Sequence, residues 1–91
     1  MSDVRNNTAE SRFELDVEGH IAAAYYDFKP GIITFTHTEV PEALSGRGIG
    51  SKLAKGALDA ARAQKLKVIA KCPFIAAYIG KHPEYRDLTK S

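Results

Sequence analysis

The stretch that decides the fold is EVPEALSGRGIGSKLAKGALDAAR, from Glu39 to Arg62. Three glycines, Gly46, Gly48 and Gly50, stand at alternate positions within it, and a helical pattern follows at once. The pattern predicts a helix from about Gly46 to Gln64, with a backbone at its start that can approach another group closely. Its apolar face is formed by residues at helical spacing: Ile49, Leu53, Ala54, Ala57, Leu58 and Ala61.

Three β-strands are predicted before the glycines. RFELDV (12–17) alternates apolar and charged residues, and IITFTHTEV (32–40) is rich in β-branched residues. The alanine run of IAAAYYDF (21–28) fits a strand or a helix, but its aromatic residues and the turn before it favour a strand. Short turn signals separate the three segments, so they should form an antiparallel meander.

One further strand and one short helix are predicted after the long helix, from LKVIAKC (66–72) and FIAAYIGK (74–81). A strand, a crossover helix and a strand usually pair in parallel, so the third and fourth predicted strands should be parallel neighbours. The expected fold class is therefore α/β of the α+β type, an antiparallel β-β-β meander followed by α-β-α. Residues 1–11 are expected to be a flexible tail, and residues 12–91 a single domain.

Length and composition narrow the class of protein. The chain has 91 residues and one cysteine, so no internal disulfide can form, which favours a reducing compartment. No apolar run approaches the roughly 20 residues that span a membrane, and the polar start MSDVRNNTAE lacks the apolar core of a signal peptide. These features predict a cytoplasmic protein without a membrane partner. Histidine, cysteine and the acidic residues lack metal-ligand spacing, so no metal site is expected, and the oligomeric state is left open.

The charge is divided unevenly along the chain. The net charge is +2, but residues 1–45 hold three basic residues against eight acidic ones, and residues 46–91 hold ten against three. One interpretation is two solvated faces. The other is a polyanion bound by the C-terminal half and a cationic partner attracted to the N-terminal half.

The glycine spacing fits neither of two common phosphate-binding motifs. A P-loop needs G-x-x-x-x-G-K-[ST], and a dinucleotide fingerprint needs G-x-G-x-x-G with an acid about 20 residues further on, where this chain has Ala70. A tight turn with close helix–strand packing would also explain the glycines. Phosphate binding nevertheless remains favourable, because a helix N-terminus exposes N–H groups and Arg47, Lys52 and Lys55 lie on the same turns.

Taken together, the motifs resemble the GNAT-type N-acetyltransferases. The family signature [QR]-x-x-G-x-[GA] is matched by residues Ser45 to Gly50, with Ser45 in place of the arginine or glutamine. The resemblance is strongest to a short subfamily of GNAT-like proteins that carries THTEVP before the loop and CPF and HPEY after it. The resemblance extends over about Phe13 to Leu88. It implies that the helices forming the acceptor site of larger members are missing, which leaves that side open.

The resemblance implies acetyl-CoA as the cofactor. Its pyrophosphate would bind the backbone N–H groups at the loop and helix start, and its pantetheine arm would lie along the strand that ends at Val40. The serine at position 45 is expected to weaken binding at most. The implied cofactor-binding residues are Val40, Ser45, Gly46, Arg47, Gly48, Ile49, Gly50 and Ser51.

Four residues are candidates for the chemistry. His37 and Glu39 are two apart on a predicted strand, which predicts that both share one face with Ile33 and Phe35, unless they are simply exposed at the strand end. Histidine suits a general base because it changes charge near neutral pH. The resemblance marks His37 and Cys72 as active-site positions. It also marks Tyr78 as a proton donor to the CoA thiolate, although a lone cysteine is commonly an inert buried residue and a tyrosine a packing residue.

The sequence therefore predicts an acetyl-CoA-dependent N-acetyltransferase that acts on an amine borne by a small molecule or a protein. Transfer could be direct or could pass through an acetyl group on Cys72. The first alternative is a non-catalytic acyl-CoA-binding or regulatory module. The second is a basic nucleic-acid-binding domain, which is disfavoured because the aromatic residues mostly lie outside the basic region.

Overall fold

Five strands and two α-helices follow one another in the structure, a computed structural model that describes residues 4–89. The predicted tail and domain also include residues 1–3 and 90–91, which lie outside the described residues. Two 3₁₀ helices, Glu42–Leu44 and Pro83–Thr89, complete the chain. The other elements are β1 (Arg5–Asn7), β2 (Arg12–Val17), β3 (His20–Lys29), β4 (Ile32–Glu39), α1 (Ile49–Ala63), β5 (Lys67–Ala70) and α2 (Pro73–Lys81).

The strands form one sheet in the order β1-β2-β3-β4-β5. The first four are antiparallel neighbours, and β4 and β5 are parallel. The third and fourth predicted strands correspond to β4 and β5, so the predicted fold class and its parallel pairing are confirmed.

The core lies between one face of the sheet and the helices. Phe35 is fully buried there, and its ring packs near those of Phe13 and Tyr26. Both helices and the C-terminal 3₁₀ helix contribute side chains to this single cluster. The opposite face of the sheet carries mostly exposed or half-buried side chains, so it forms the open face of the molecule. The six apolar residues predicted for α1 are all buried: Ile49, Leu53, Ala54, Ala57, Leu58 and Ala61.

A strand that the sequence does not predict lies within the segment expected to be a tail, residues 1–11. Arg5–Asn7 forms β1, which pairs with β2 through Arg5 opposite Glu14 and Asn7 opposite Arg12. The stretch is polar, and its stabilising contacts are hydrogen bonds to charged side chains rather than apolar packing. Hydrophobic periodicity therefore gave no signal for it.

The start of α1 also differs from the prediction. The helix begins at Ile49 rather than near Gly46, because Gly46 and Gly48 have φ values of 78° and 70°. These values lie in the left-handed region, which glycine adopts without steric cost and which an α-helix does not contain. The glycines therefore form the approach to the helix and not its first turn.

The C-terminal 3₁₀ helix is fixed to α1 by polar contacts. Tyr85 donates a hydrogen bond to the carboxylate of Asp59 at 2.6 Å, and Arg62 pairs with Asp87 at 2.8 Å. Burial and the bond to Asp59 raise the pKa of Tyr85 to about 12, so its hydroxyl remains a donor at neutral pH. Both contacts join residues far apart in the chain, so local sequence gives no signal for this helix.

No helix within residues 4–89 is long and apolar enough to cross a membrane.

Glu14 is the one buried charged side chain among the described residues, and it lies on the open face of the sheet. Its carboxylate accepts hydrogen bonds from Arg5, Asn7 and Arg12. The bonds from Asn7 and Arg12 lower the pKa of Glu14 below its ordinary value of 4.5. The charge can be buried at this place because three donors replace the water that it loses.

We predict that Glu14→Gln lowers the free energy of unfolding at neutral pH by about 1–3 kcal/mol, because an amide cannot accept all of these bonds. Since the folded-state pKa is lowered, the contribution of Glu14 is present above pH 4.5 and is lost as the pH falls through the folded value. Urea denaturation at pH 7 and at pH 3.5 measures both effects. Glu10→Gln makes the same change at an exposed position, and equal stability loss in the two variants would contradict the prediction.

Candidate active site

Strands β4 and β5 separate after a short parallel segment. Their pairing ends at Phe35 and Ala70, and the carbonyl of Phe35 accepts the N–H groups of both Lys71, at 3.0 Å, and Cys72, at 2.9 Å. One carbonyl that takes two donors turns β5 away from β4. Within residues 4–89, the edge of β4 from Thr36 to Glu39 that faces β5 therefore has no strand partner.

A β-bulge lies at the same point of β4. Tyr26 is opposite Phe35 and Tyr25 is opposite His37, so Thr36 is an additional residue in β4. The extra residue reverses the alternation of side chains beyond it. Residues 37 and 39 then lie on the open face, and residue 38 lies on the core face with Ile33 and Phe35.

The prediction that His37 and Glu39 share a face with Ile33 and Phe35 is therefore wrong. The two apolar residues are 2% and 0% exposed, whereas the side chains of His37 and Glu39 are 58% and 61% exposed. Strict alternation fails because the bulge is set by pairing with β3, which the sequence of β4 alone does not reveal.

On the core side of β4, Thr38 contacts the only cysteine of the chain. The hydroxyl oxygen of Thr38 lies 3.1 Å from the sulfur of Cys72, which is 2% exposed. Ala24, opposite Thr38 on β3, is fully buried and small. Thr38 lies in the THTEVP motif, but as one of three threonines in a strand it is explained by β-propensity and was not predicted as a site residue.

On the open side of β4, His37 and Glu39 form a pair. The ring nitrogen Nε2 of His37 lies 3.1 Å from the carboxylate of Glu39, and the imidazole stacks on the ring of Tyr25 at 5.9 Å. Tyr25 in turn accepts a hydrogen bond from Arg12. Through these contacts the histidine ring has neighbours that orient it while it stays open to solvent.

His37 and Cys72 thus lie on opposite sides of β4. Within the part of the chain that the structure describes, no hydrogen bond joins them, and the polar partner of the sulfur is Thr38. The site therefore consists of a buried thiol and an exposed imidazole on two sides of one strand end.

The loop before α1 is exposed from Ser45 to Gly48. No heavy atom comes within 4 Å of the position where a side chain would begin at Gly46 or Gly48. Gly48 supplies no side-chain cap to α1, and the first turn of α1 contains no acidic residue. The first N–H groups of the helix therefore have no side-chain cap, and an anion beside them would be stabilised.

Gly50 has a different role from the other two glycines. It lies inside the first turn of α1, and a side-chain carbon there would come within 2.7 Å of the ring of Phe74. Phe74 belongs to the first turn of α2 and is 40% exposed. Gly50 thus allows the ring of Phe74 to cover the start of α1, which is packing between two helices and not the helix–strand packing considered above.

Arg47 contacts the acidic half of the chain. Its guanidinium lies 2.9 Å from the carboxylate of Glu18, in the turn between β2 and β3. The hydrogen bond from Arg47 lowers the pKa of Glu18, so the pair is charged at neutral pH. Both side chains are exposed, and such a pair costs little to exchange for another anion.

Tyr78 lies on α2, six residues beyond Cys72. Its ring stacks on the imidazole of His82, with the ring centroids 4.0 Å apart. Burial raises the pKa of Tyr78, which keeps its hydroxyl protonated. Tyr78 and His82 line a cavity of about 100 Å³ between α1 and α2, together with Ser51, Phe74, Ala77 and Lys81.

Comparison with known proteins defines the class of this fold and site. The family described as GCN5-related N-acetyl-transferase matches residues 12–88. The NMR solution structure of a GCN5-like N-acetyltransferase candidate from Staphylococcus aureus aligns with a TM-score of 0.71 and 31% identity, over 97% of this chain and 89% of that one. The chain belongs to the GCN5-related N-acetyltransferase family.

Curated relatives match a shorter segment. Protein NATD1 of chicken and of mouse are each 44% identical to this chain over 52 residues, which are 57% of this chain and 47% of each relative. Human Protein NATD1 is 44% identical over a segment of the same length. The chain spans about half the length of the curated relatives it matches.

Proposed function

We propose that this protein is an N-acetyltransferase that moves the acetyl group of acetyl-CoA to an amine. The observation that carries the proposal is the convergence at the end of β4. An uncapped helix start, an unpaired strand edge, a buried thiol and an exposed imidazole all lie around the gap between β4 and β5. Family membership supports the same reaction type.

Acetyl-CoA fits the open loop by its chemistry. The pyrophosphate would bind the N–H groups between Gly46 and Ser51, where glycine leaves room and the helix start is electropositive. The pantetheine amides would hydrogen-bond to the unpaired edge of β4 up to Val40. Arg47 belongs to this loop, and its guanidinium could exchange the carboxylate of Glu18 for a phosphate.

The acceptor amine would approach from the open face of the sheet. No described helix covers that face, which suits an amine on a small molecule or on a protein. A lysine side chain with an ordinary pKa near 10.4 is neutral in only about one molecule per few thousand at pH 7, so a base accelerates its attack. His37 is exposed there and is oriented by Glu39 and Tyr25, which is the position that such a base needs.

Two routes account for the role of Cys72. In the covalent route, the thiolate attacks the thioester carbon, a new C–S bond forms, and CoA leaves as a thiolate that takes up a proton. The amine then attacks the acetyl-cysteine, loses its proton to His37, and the cysteine thiolate leaves. In the direct route, the amine attacks the thioester carbon and loses a proton to His37, the C–S bond to CoA breaks, and Cys72 or Tyr78 protonates the departing thiolate.

One observation favours a second candidate function, an acyl-CoA-binding module without turnover. Cys72 is almost fully buried and is separated from His37 by β4, so the two do not form a thiol–imidazole pair. Nucleic-acid binding is less favoured, because the aromatic residues mostly lie outside the basic region. We propose a cytoplasmic location on the basis of the single cysteine.

The first prediction concerns the cofactor loop. Gly48→Asp and Gly48→Asn both tolerate the φ of 70°, but only aspartate places a negative charge beside the pyrophosphate. We expect the aspartate variant to bind CoA about tenfold or more weakly than the asparagine variant, as measured by calorimetry. Circular dichroism spectra equal to that of the wild type would show that both variants fold. Equal CoA affinities of the two variants would contradict a phosphate site at this loop.

The second prediction concerns the base. His37→Gln should lower kcat by about 10²–10⁴-fold and leave CoA affinity unchanged, because the imidazole acts on the amine and not on the cofactor. The wild-type rate should fall at acidic pH, and the variant should lose that dependence. His20→Gln, at the exposed first residue of β3, is the control. A wild-type rate in His37→Gln would assign the base to another group, with Glu39 the first to test.

The third prediction separates the two routes. In the covalent route, acetyl-CoA alone should add ~42 Da, one acetyl group, to Cys72, and Cys72→Ala should be inactive. Cys72→Ser should stall as an ester. In the direct route, no adduct forms and Cys72→Ala keeps measurable activity. Intact-protein mass spectrometry with and without an amine distinguishes them, and full activity of Cys72→Ala would show that Cys72 is a packing residue.

A further inference from the structure

Thr38 connects the two sides of the site. Its side chain reaches the core side of β4, where its hydroxyl lies 3.1 Å from the Cys72 sulfur. Its chain neighbours His37 and Glu39 face the open side. The bulge at Thr36 produces this arrangement, because without the extra residue Thr38 would face solvent.

The surroundings of the sulfur are otherwise apolar. Cys72 is 2% exposed, and it belongs to the cluster of buried residues that includes Phe35 and Ile75. An apolar environment disfavours a thiolate, so the charged form needs a hydrogen-bond donor. Cys72 also stands at the N-cap of α2, a nine-residue helix whose N-terminus adds a favourable partial charge.

The hydroxyl of Thr38 can serve both protonation states of the sulfur. It accepts a hydrogen bond from the thiol, and after a rotation it donates its own hydrogen to the thiolate. No other side chain within residues 4–89 makes a polar contact with this sulfur. The hydroxyl is therefore the group that would offset the cost of a buried thiolate.

We propose that Thr38 is a positioning residue that holds the Cys72 sulfur at the gap between β4 and β5 and stabilises its thiolate form. The inference rests on the proposed function for its role in transfer, although the hydrogen bond itself can be tested without acetyl-CoA.

The experiment uses the full chain and its single cysteine. Thr38→Val removes the hydroxyl at nearly constant shape, and Thr38→Ser keeps it. Thiolate absorbance near 240 nm is measured against pH, with Cys72→Ala subtracted as the baseline. We expect the midpoint to rise by roughly one pH unit in Thr38→Val, from the loss of one charge-assisted hydrogen bond, and to return toward wild type in Thr38→Ser.

Transfer gives the second readout. Thr38→Val should slow acetyl transfer about tenfold with unchanged CoA affinity, and Thr38→Ser should recover most of the rate. Thr34→Val, at a half-buried position of β4 before the bulge, should behave as wild type in the thiolate titration. Thr38→Ala, which also lacks the hydroxyl, replaces the valine variant if that variant does not fold.

A wild-type titration midpoint in both hydroxyl-free variants would overturn the proposal, as would a serine variant that is no better than the valine variant. If wild-type protein shows no transfer at all, the proposed function fails, and the titration still decides whether Thr38 stabilises the thiolate. The two failures are therefore distinguishable.

Discussion

The bulge at Thr36 is the constraint on which the site depends. Before it, β4 alternates so that Ile33 and Phe35 enter the core. After it, the alternation is reversed, so that Thr38 faces the core and His37 faces solvent. A strand without the extra residue would bury an imidazole against the core and expose the threonine. One inserted residue therefore decides which polar side chains face the core and which face solvent.

The carbonyl of Phe35 adds the second constraint at the same level of the sheet. By accepting both Lys71 and Cys72, it ends the parallel pairing and begins α2 directly beside the gap. Because Cys72 is the residue at this junction, its sulfur is placed where the strands part. The glycine loop then brings α1 to the same end of the sheet, and the ring of Phe74 packs on Gly50 between the two helix starts.

The elements of this fold could be predicted largely from local sequence. β2 matches its prediction to the residue, and β3, β4 and α2 differ by one residue at their ends. These segments are governed by periodicity, turn residues and proline, all of which act over a few positions. The parallel pairing of β4 and β5 followed from the handedness of crossover connections and is confirmed.

What the sequence did not reveal is set by contacts between distant residues. β1 depends on the carboxylate of Glu14, which accepts hydrogen bonds from side chains of β1 and β2. The late start of α1 depends on the positive φ of Gly46 and Gly48, which glycine permits but does not impose. The orientation of His37 depends on Tyr25 across the sheet, and the significance of Thr38 appears only when Cys72, 34 residues away, is brought beside it.

The separation of His37 from Cys72 bears on how the proposed reaction must proceed. A thiol nucleophile benefits from a dry site with one defined donor, whereas a base that serves an incoming amine needs access to solvent. His37 and Thr38, which are adjacent in β4, meet these two needs, because their side chains point to opposite faces of the sheet. The acetyl carbon must then be reached from both faces, and the unpaired segment of β4 beyond Phe35 is where β5 no longer blocks the way. In the proposed enzyme, the divergence of β4 and β5 therefore has two roles. It leaves a strand edge that binds the cofactor, and it lets the amine reach the thioester.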